Sequence, residues 1–213
     1  SGGYLDSVIF NFHDLVGLPN SNRDAPDDQY RLFFEQQGTV LFDTDMPTSG
    51  ISDVQLTAAM DLGKATLRAG IKVPTGDPDE LTGSGAADFS LGLHGGSTAT
   101  LLDRELAYTG FLGVLVLGDG EIMPTLQRSA VPYGGAALRW QATSRMALAT
   151  QLYVQGPYFD AELDELGGNT FQLSFGADFR LQGSFLRLAI VEDIAAAAAP
   201  DFALHLSFRS FGG

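Results

Sequence analysis

The chain has no cysteine among its 213 residues, so neither disulfides nor thiol chemistry are open to it. Basic residues are scarce: 12 Lys and Arg stand against 26 Asp and Glu, a formal charge of −14. With no run of Lys or Arg to neutralise phosphates, the balance argues against a nucleic-acid partner. Long hydrophobic runs are also missing. Although 45% of the residues are hydrophobic, no stretch approaches the roughly 18 apolar residues of a transmembrane helix. The longest, 194–199, is mostly alanine and is closed by Pro200. That absence leaves membrane barrels open, because barrels cross with short alternating strands that hydropathy averages miss. The sequence begins without an initiator methionine or a leader, as expected of a processed or cut chain.

What the chain does have is glycine, phenylalanine and alternation. Its 26 Gly and 15 Phe suit strands and turns better than a helical bundle. Residues 65–94 set the pattern. Leu67, Ala69, Ile71 and Val73 alternate with Thr66, Arg68, Gly70 and Lys72, and Phe89, Leu91 and Leu93 with Asp88, Ser90 and His94. A period of two gives each strand one apolar and one polar face. The polar loop between carries Asp77, Asp79 and Glu80. The same alternation recurs from Val54, Ala136, Met146, Phe171, Leu186 and Phe202. Before residue 51 the pattern differs. Residues 4–16 have apolar residues at helical spacing, stopped by Gly17 and Pro19, and predict a short amphipathic helix. Residues 30–43 predict a hairpin turning near Gln37 and Gly38. We therefore divide the chain into 1–50, a helix, polar loop and hairpin lying outside the barrel or plugging its lumen, and 51–213, the barrel strands.

Short and long connections take turns along 51–213, which is the signature of an all-β, antiparallel transmembrane β-barrel in the bacterial outer membrane. Tyr108, Tyr133, Trp140, Tyr153 and Tyr158 are expected in its interfacial girdles. About nine spanning strands follow Ile51, and a barrel with both termini on one side needs an even number. The expectation is thus a complete barrel of roughly 10 to 12 strands, whose first strand or strands this chain lacks or a partner chain supplies.

Three segments carry a resemblance: SGGYLDSVIFNFHDLVGLPNSNRD, IKVPTGDPDELTGSGAADFSLGL and DFALHLSFRSF. With their LTGSG-x-x-D and FHDLVGLPN-x-x-R motifs, they resemble a family of Gram-negative outer-membrane proteins known only as a domain of unknown function. The resemblance implies a fold and a location. It implies no activity.

On this reading the polar strand face lines the lumen, with Arg68, Lys72, Asp88, His94, Arg139, Gln151, Asp178, Arg180, Arg187, His205 and Arg209 along the path, and Asp61 and Glu192 added to its charge. Clustered arginines in an acidic protein favour small anions through a focused positive field. The same charges, if paired, would close a narrow barrel. Phe12, His13 and Asp14 belong to the helix that plugs the lumen or lies on its rim. The first expectation is a channel or transporter for small anionic or amphipathic solutes, plugged or gated. A structural or assembly-partner barrel without transport comes second. A lipid-modifying hydrolase comes last, since the histidines are scattered and no serine motif accompanies them. No metal or cofactor is expected: the acidic loops at 77–80 and 160–165 lack EF-hand spacing, leaving divalent-ion bridging an open question. The expected surroundings are outer-membrane lipid and lipopolysaccharide.

Overall fold

The computed structural model describes residues 11, 32–36, 38–44, 49–194 and 202–210. The expected helix 4–16 falls outside them except for Asn11, whose backbone is helical, and Phe12, His13 and Asp14 lie outside them altogether. The chain divides into two units, 1–50 and 51–213. In the first, β1 (Leu32–Gln36) and β2 (Thr39–Thr44) pair antiparallel around Gly38, whose φ of 78° suits a residue without a Cβ.

The second unit is one antiparallel meander of nine strands. In chain order they are β3 (Val54–Asp61), β4 (Ala65–Val73), β5 (Asp88–Leu101), β6 (Arg104–Val116), β7 (Ala130–Trp140), β8 (Met146–Gln155), β9 (Thr170–Leu181), β10 (Ser184–Asp193) and β11 (Phe202–Ser210). Turns 62–64, 102–103, 141–145 and 182–183 gather at one rim, and loops 74–87, 117–129 and 156–169 at the other. The last of these loops holds a helical turn, Asp164–Gly167. β5 runs on to Leu101, through most of the stretch that reads as a link in the sequence. The turn beyond it escapes sequence reasoning because Leu102 and Asp103, with φ of 52° and 57°, occupy positions where Asn and Gly are usual.

Among the described residues the sheet is open, with β3 and β11 as its edges; nine strands follow Ile51, as the alternation predicts, and they do not close into a barrel by themselves. Geometry gives the reason. In a nine-stranded meander the first and last strands run the same way, so they cannot close on each other as an antiparallel pair.

Register assigns the strand residues to two faces. One row runs Leu67, Leu93, Leu112, Gly134, Val154, Phe171 from β4 to β9. The row on the opposite face runs Thr66, His94, Phe111, Gly135, Tyr153, Gln172 and, on β10, Asp193. Burial is inverted with respect to a water-soluble sheet. Leu112, Leu204 and Phe175 are 67%, 68% and 56% exposed, whereas Asp178 on the polar face is 2% exposed. Contacts that skip strands, such as β7 to β9, lie on the polar face, so the sheet curls toward it. Each half-exposed Leu or Phe forgoes on the order of 1 kcal/mol of burial. An apolar patch spanning all nine strands far exceeds what a water-soluble monomer displays.

Candidate functional site

The concave polar face carries two charge clusters of opposite composition. Near the long-loop rim, Lys72 lies between Asp53 and Asp88, with Nζ 2.9 Å and 2.8 Å from their carboxylates. It also contacts Ser84 Oγ. Lys72 and Asp88 meet because they are register partners on β4 and β5. Asp53 arrives from the residue just before β3. Both carboxylates also hold backbone. The amides of Gly76 and Ser84 donate to Asp53 at 2.9 Å and 3.1 Å, and the amide of Gly118 to Asp88 at 3.1 Å. Burial disfavours the charged form of Asp53, but the Lys72 hydrogen bond and the two amides outweigh it and lower its pKa from 3.8 to about 2. A Cβ on Gly83 would collide with this carboxylate, so the loop glycine is what allows the close approach.

These bonds fasten loops 74–87 and 117–129 to the sheet. Loops 117–129 and 156–169 are fastened to each other: the amide of Asp160 donates to Leu126 O at 2.7 Å and that of Arg128 to Tyr158 O at 2.9 Å. Beneath them is a cavity of about 380 Å³ with a polar floor at Lys72, Asp88 and Ser90 and apolar walls at Leu117, Ile122 and Phe159.

The second cluster lies in the short-turn half. Asp178 on β9 accepts from Arg139 Nε at 2.9 Å and, bidentately, from Arg187 Nε and Nη2 at 2.7 Å and 3.1 Å. Arg187 and Asp178 are register partners. Arg139 reaches across β8, where the register partner of Asp178 is Ala147, small enough to be covered and 1% exposed. Arg139 Nη1 donates to Gln141 at 3.3 Å, and the Arg187 guanidinium lies 5.7 Å from the Phe185 ring. Both guanidiniums, with Gln151, Ser174 and His205, line a cavity of about 410 Å³.

Between the clusters is an aromatic row. His94 stacks on Phe111 at 5.3 Å, and Phe111 on Tyr153 at 6.1 Å. A Cβ on Gly135 would stand 2.7 Å from the Phe111 ring, so glycine opens the floor for it.

The structure thus brings Lys72 together with Asp88, and Arg139, Gln151, Asp178, Arg187 and His205 around one cavity. Arg180 and Arg209 flank Phe185 nearer the short-turn rim, and Arg68 stands apart on β4; none of the three forms an ion pair among the described residues. Asp61 faces Thr66 and accepts from the Gly63 amide at 2.7 Å. Glu192 does not belong to the polar face. It shares the parity of Leu186, Leu188 and Ile190 and pairs in register with Leu173 and Phe202, while Asp193 is opposite Gln172. Tyr133 and Tyr153 are likewise misplaced as girdle residues. They stand on the concave face, in register with Gly113 and Gly135, whereas Tyr108 and Trp140 are on the apolar face. Asp53 escapes sequence reasoning because it precedes the first alternating residue of β3. Neither His94 nor His205 hydrogen-bonds a serine or carboxylate among the described residues. Asp77 in the acidic loop accepts from the Asp79 amide at 2.9 Å, an ordinary turn contact.

No match to the chain is found among curated proteins. Residues 1–211 match one family model, and the chain belongs to that family of proteins of unknown function, DUF3187.

Proposed function

We propose that the nine-stranded sheet is the wall of a bacterial outer-membrane β-barrel whose polar concave face lines a path for small anionic or amphipathic solutes. The observation that carries this reading is the inverted burial. A face of exposed Leu, Phe, Ile and Val opposite a face with buried aspartates fits lipid on one side and an aqueous lumen on the other. Outer-membrane lipid and lipopolysaccharide are the partners of the apolar face, and closure takes an odd number of further strands. The lumen prefers anions because Arg68, Arg139, Arg180, Arg187 and Arg209 outnumber Asp61, Glu105 and Asp178 on the concave face away from the Lys72 cluster.

One observation favours a second reading, a scaffold barrel without transport: Asp178 is fully paired and the aromatic row covers part of the face between the clusters. Planar-bilayer recording under a salt gradient separates the two. Transport predicts steady openings with an anion-selective reversal potential that Arg180→Glu with Arg209→Glu moves toward cations. Protein that is folded and inserted yet silent leaves the scaffold. Protein that stays monodisperse in water without detergent defeats both.

A further inference from the structure

We propose that Arg139 and Arg187 form a binding station for a short-chain hydroxycarboxylate. Its acid group rests on the two guanidiniums, its aliphatic body in the trough beside them, and its hydroxyl at Gln151 and Ser174. This inference rests on the solute-path reading and names the ligand class of that path.

Three neighbouring register rows make the station. The first contains Ala147, Asp178 and Arg187. Asp178 and Gln141 engage only part of each guanidinium, leaving further N–H donors on both arginines. Two guanidiniums against one carboxylate leave one positive charge for an anion. The second row runs from Arg139 through Ala149, Gly176 and Ala189 to His205, so small side chains floor a trough. The third contains Gln151 and Ser174, a polar far wall. Alternate rows on one face stand about 6.6 Å apart along a strand, so a chain of a few carbons spans from the arginine tips to that wall. The cavity of about 410 Å³ fits a small organic ligand, near the lower end of the roughly 300–1,000 Å³ typical of such sites. Asp178 is the positioning residue. Its buried carboxylate fixes both guanidiniums before an anion arrives, which lowers the ordering cost of binding.

The test is calorimetric titration of the detergent-solubilised chain with 4-hydroxybutyrate, butyrate, butyramide and inorganic phosphate at low salt. We expect saturable binding of 4-hydroxybutyrate, several-fold weaker binding of butyrate, and butyramide at least ten-fold weaker. Arg187→Lys keeps a cation beside Asp178 but loses the planar fork, and weakens binding about ten-fold. Ala189→Leu fills the trough without touching a charge and abolishes binding. Arg128→Gln removes the same charge from the long-loop rim, outside the cavity and the solute path, and changes affinity less than two-fold. Phosphate binding as tightly as 4-hydroxybutyrate, equal losses in Arg128→Gln and Arg187→Lys, or an unchanged Ala189→Leu would each overturn the station in favour of a diffuse field. Vesicle insertion is scored on the same samples. A chain that inserts without saturable binding overturns the station and leaves the barrel; one that binds without inserting overturns the barrel and leaves the station.

Discussion

The two charge clusters of the concave face are inversions of each other. At the long-loop rim one cation is held by two carboxylates; in the short-turn half one carboxylate is held by two cations. Their surroundings differ more than their signs do. The carboxylates of Asp53 and Asp88 take backbone amides from two loops as well as the ammonium, so nearly every bonding direction of the cluster is used within the protein. Both clusters border a cavity, but only the guanidiniums around Asp178 keep unused donors. The first cluster is therefore a fastening for the rim, and the second is the one with hydrogen-bonding positions left over. A paired charge reads as structure or as function according to whether hydrogen-bonding positions are left unused.

The largest separation between them comes from deleting each central residue. Lys72→Met leaves two nearly buried carboxylates side by side, and should cost about 3 kcal/mol in urea unfolding. Acid probes the same fastening in the wild-type chain. Because the pKa of Asp53 is lowered to about 2, its contribution is whole above the ordinary value of 3.8 and disappears as pH falls through about 2. Hydrogen exchange at the Gly76 and Ser84 amides should accelerate over that window, and at higher pH in Lys72→Met, where the main lowering partner is gone. Asp178→Asn should cost only about 1–2 kcal/mol, since both arginines are partly exposed and regain water; a cost equal to that of Lys72→Met would erase the distinction. Smallest is Arg128→Ala. Its pair with Asp160 is open to solvent, and unfolding should move by less than about 0.5 kcal/mol.

Much of the architecture is legible in the sequence because alternation is local. A strand's two faces need no knowledge of its neighbours, and Phe171 to Leu181 reads correctly residue by residue. Errors arise where a local rule is silent or miscounted. Leu102 and Asp103 turn the chain without Gly or Asn, so β5 reads too short. Tyr133 and Tyr153 resemble interface aromatics by type, but their parity points them inward, over glycines on adjoining strands. Glu192 is a miscount of that same parity. Of the candidate site, the residue types on the concave face were visible, but their grouping was not.

The sequence alone determined that this chain is all-β and that each strand separates apolar from polar side chains, because successive residues of a strand point to opposite sides. Tertiary structure decided which charges meet. Arg139 and Asp178 are 39 residues apart and join across an intervening strand. Their bond depends on register, on the curl of the sheet and on the small methyl group of Ala147 beneath it. Asp53 meets Lys72 diagonally across the β3–β4 pair, and only the folding back of loop 74–87 adds the Gly76 and Ser84 amides to the same carboxylate. Alternation is a property of one residue and the next; charge pairing across a sheet is a property of distance, which only the folded chain sets.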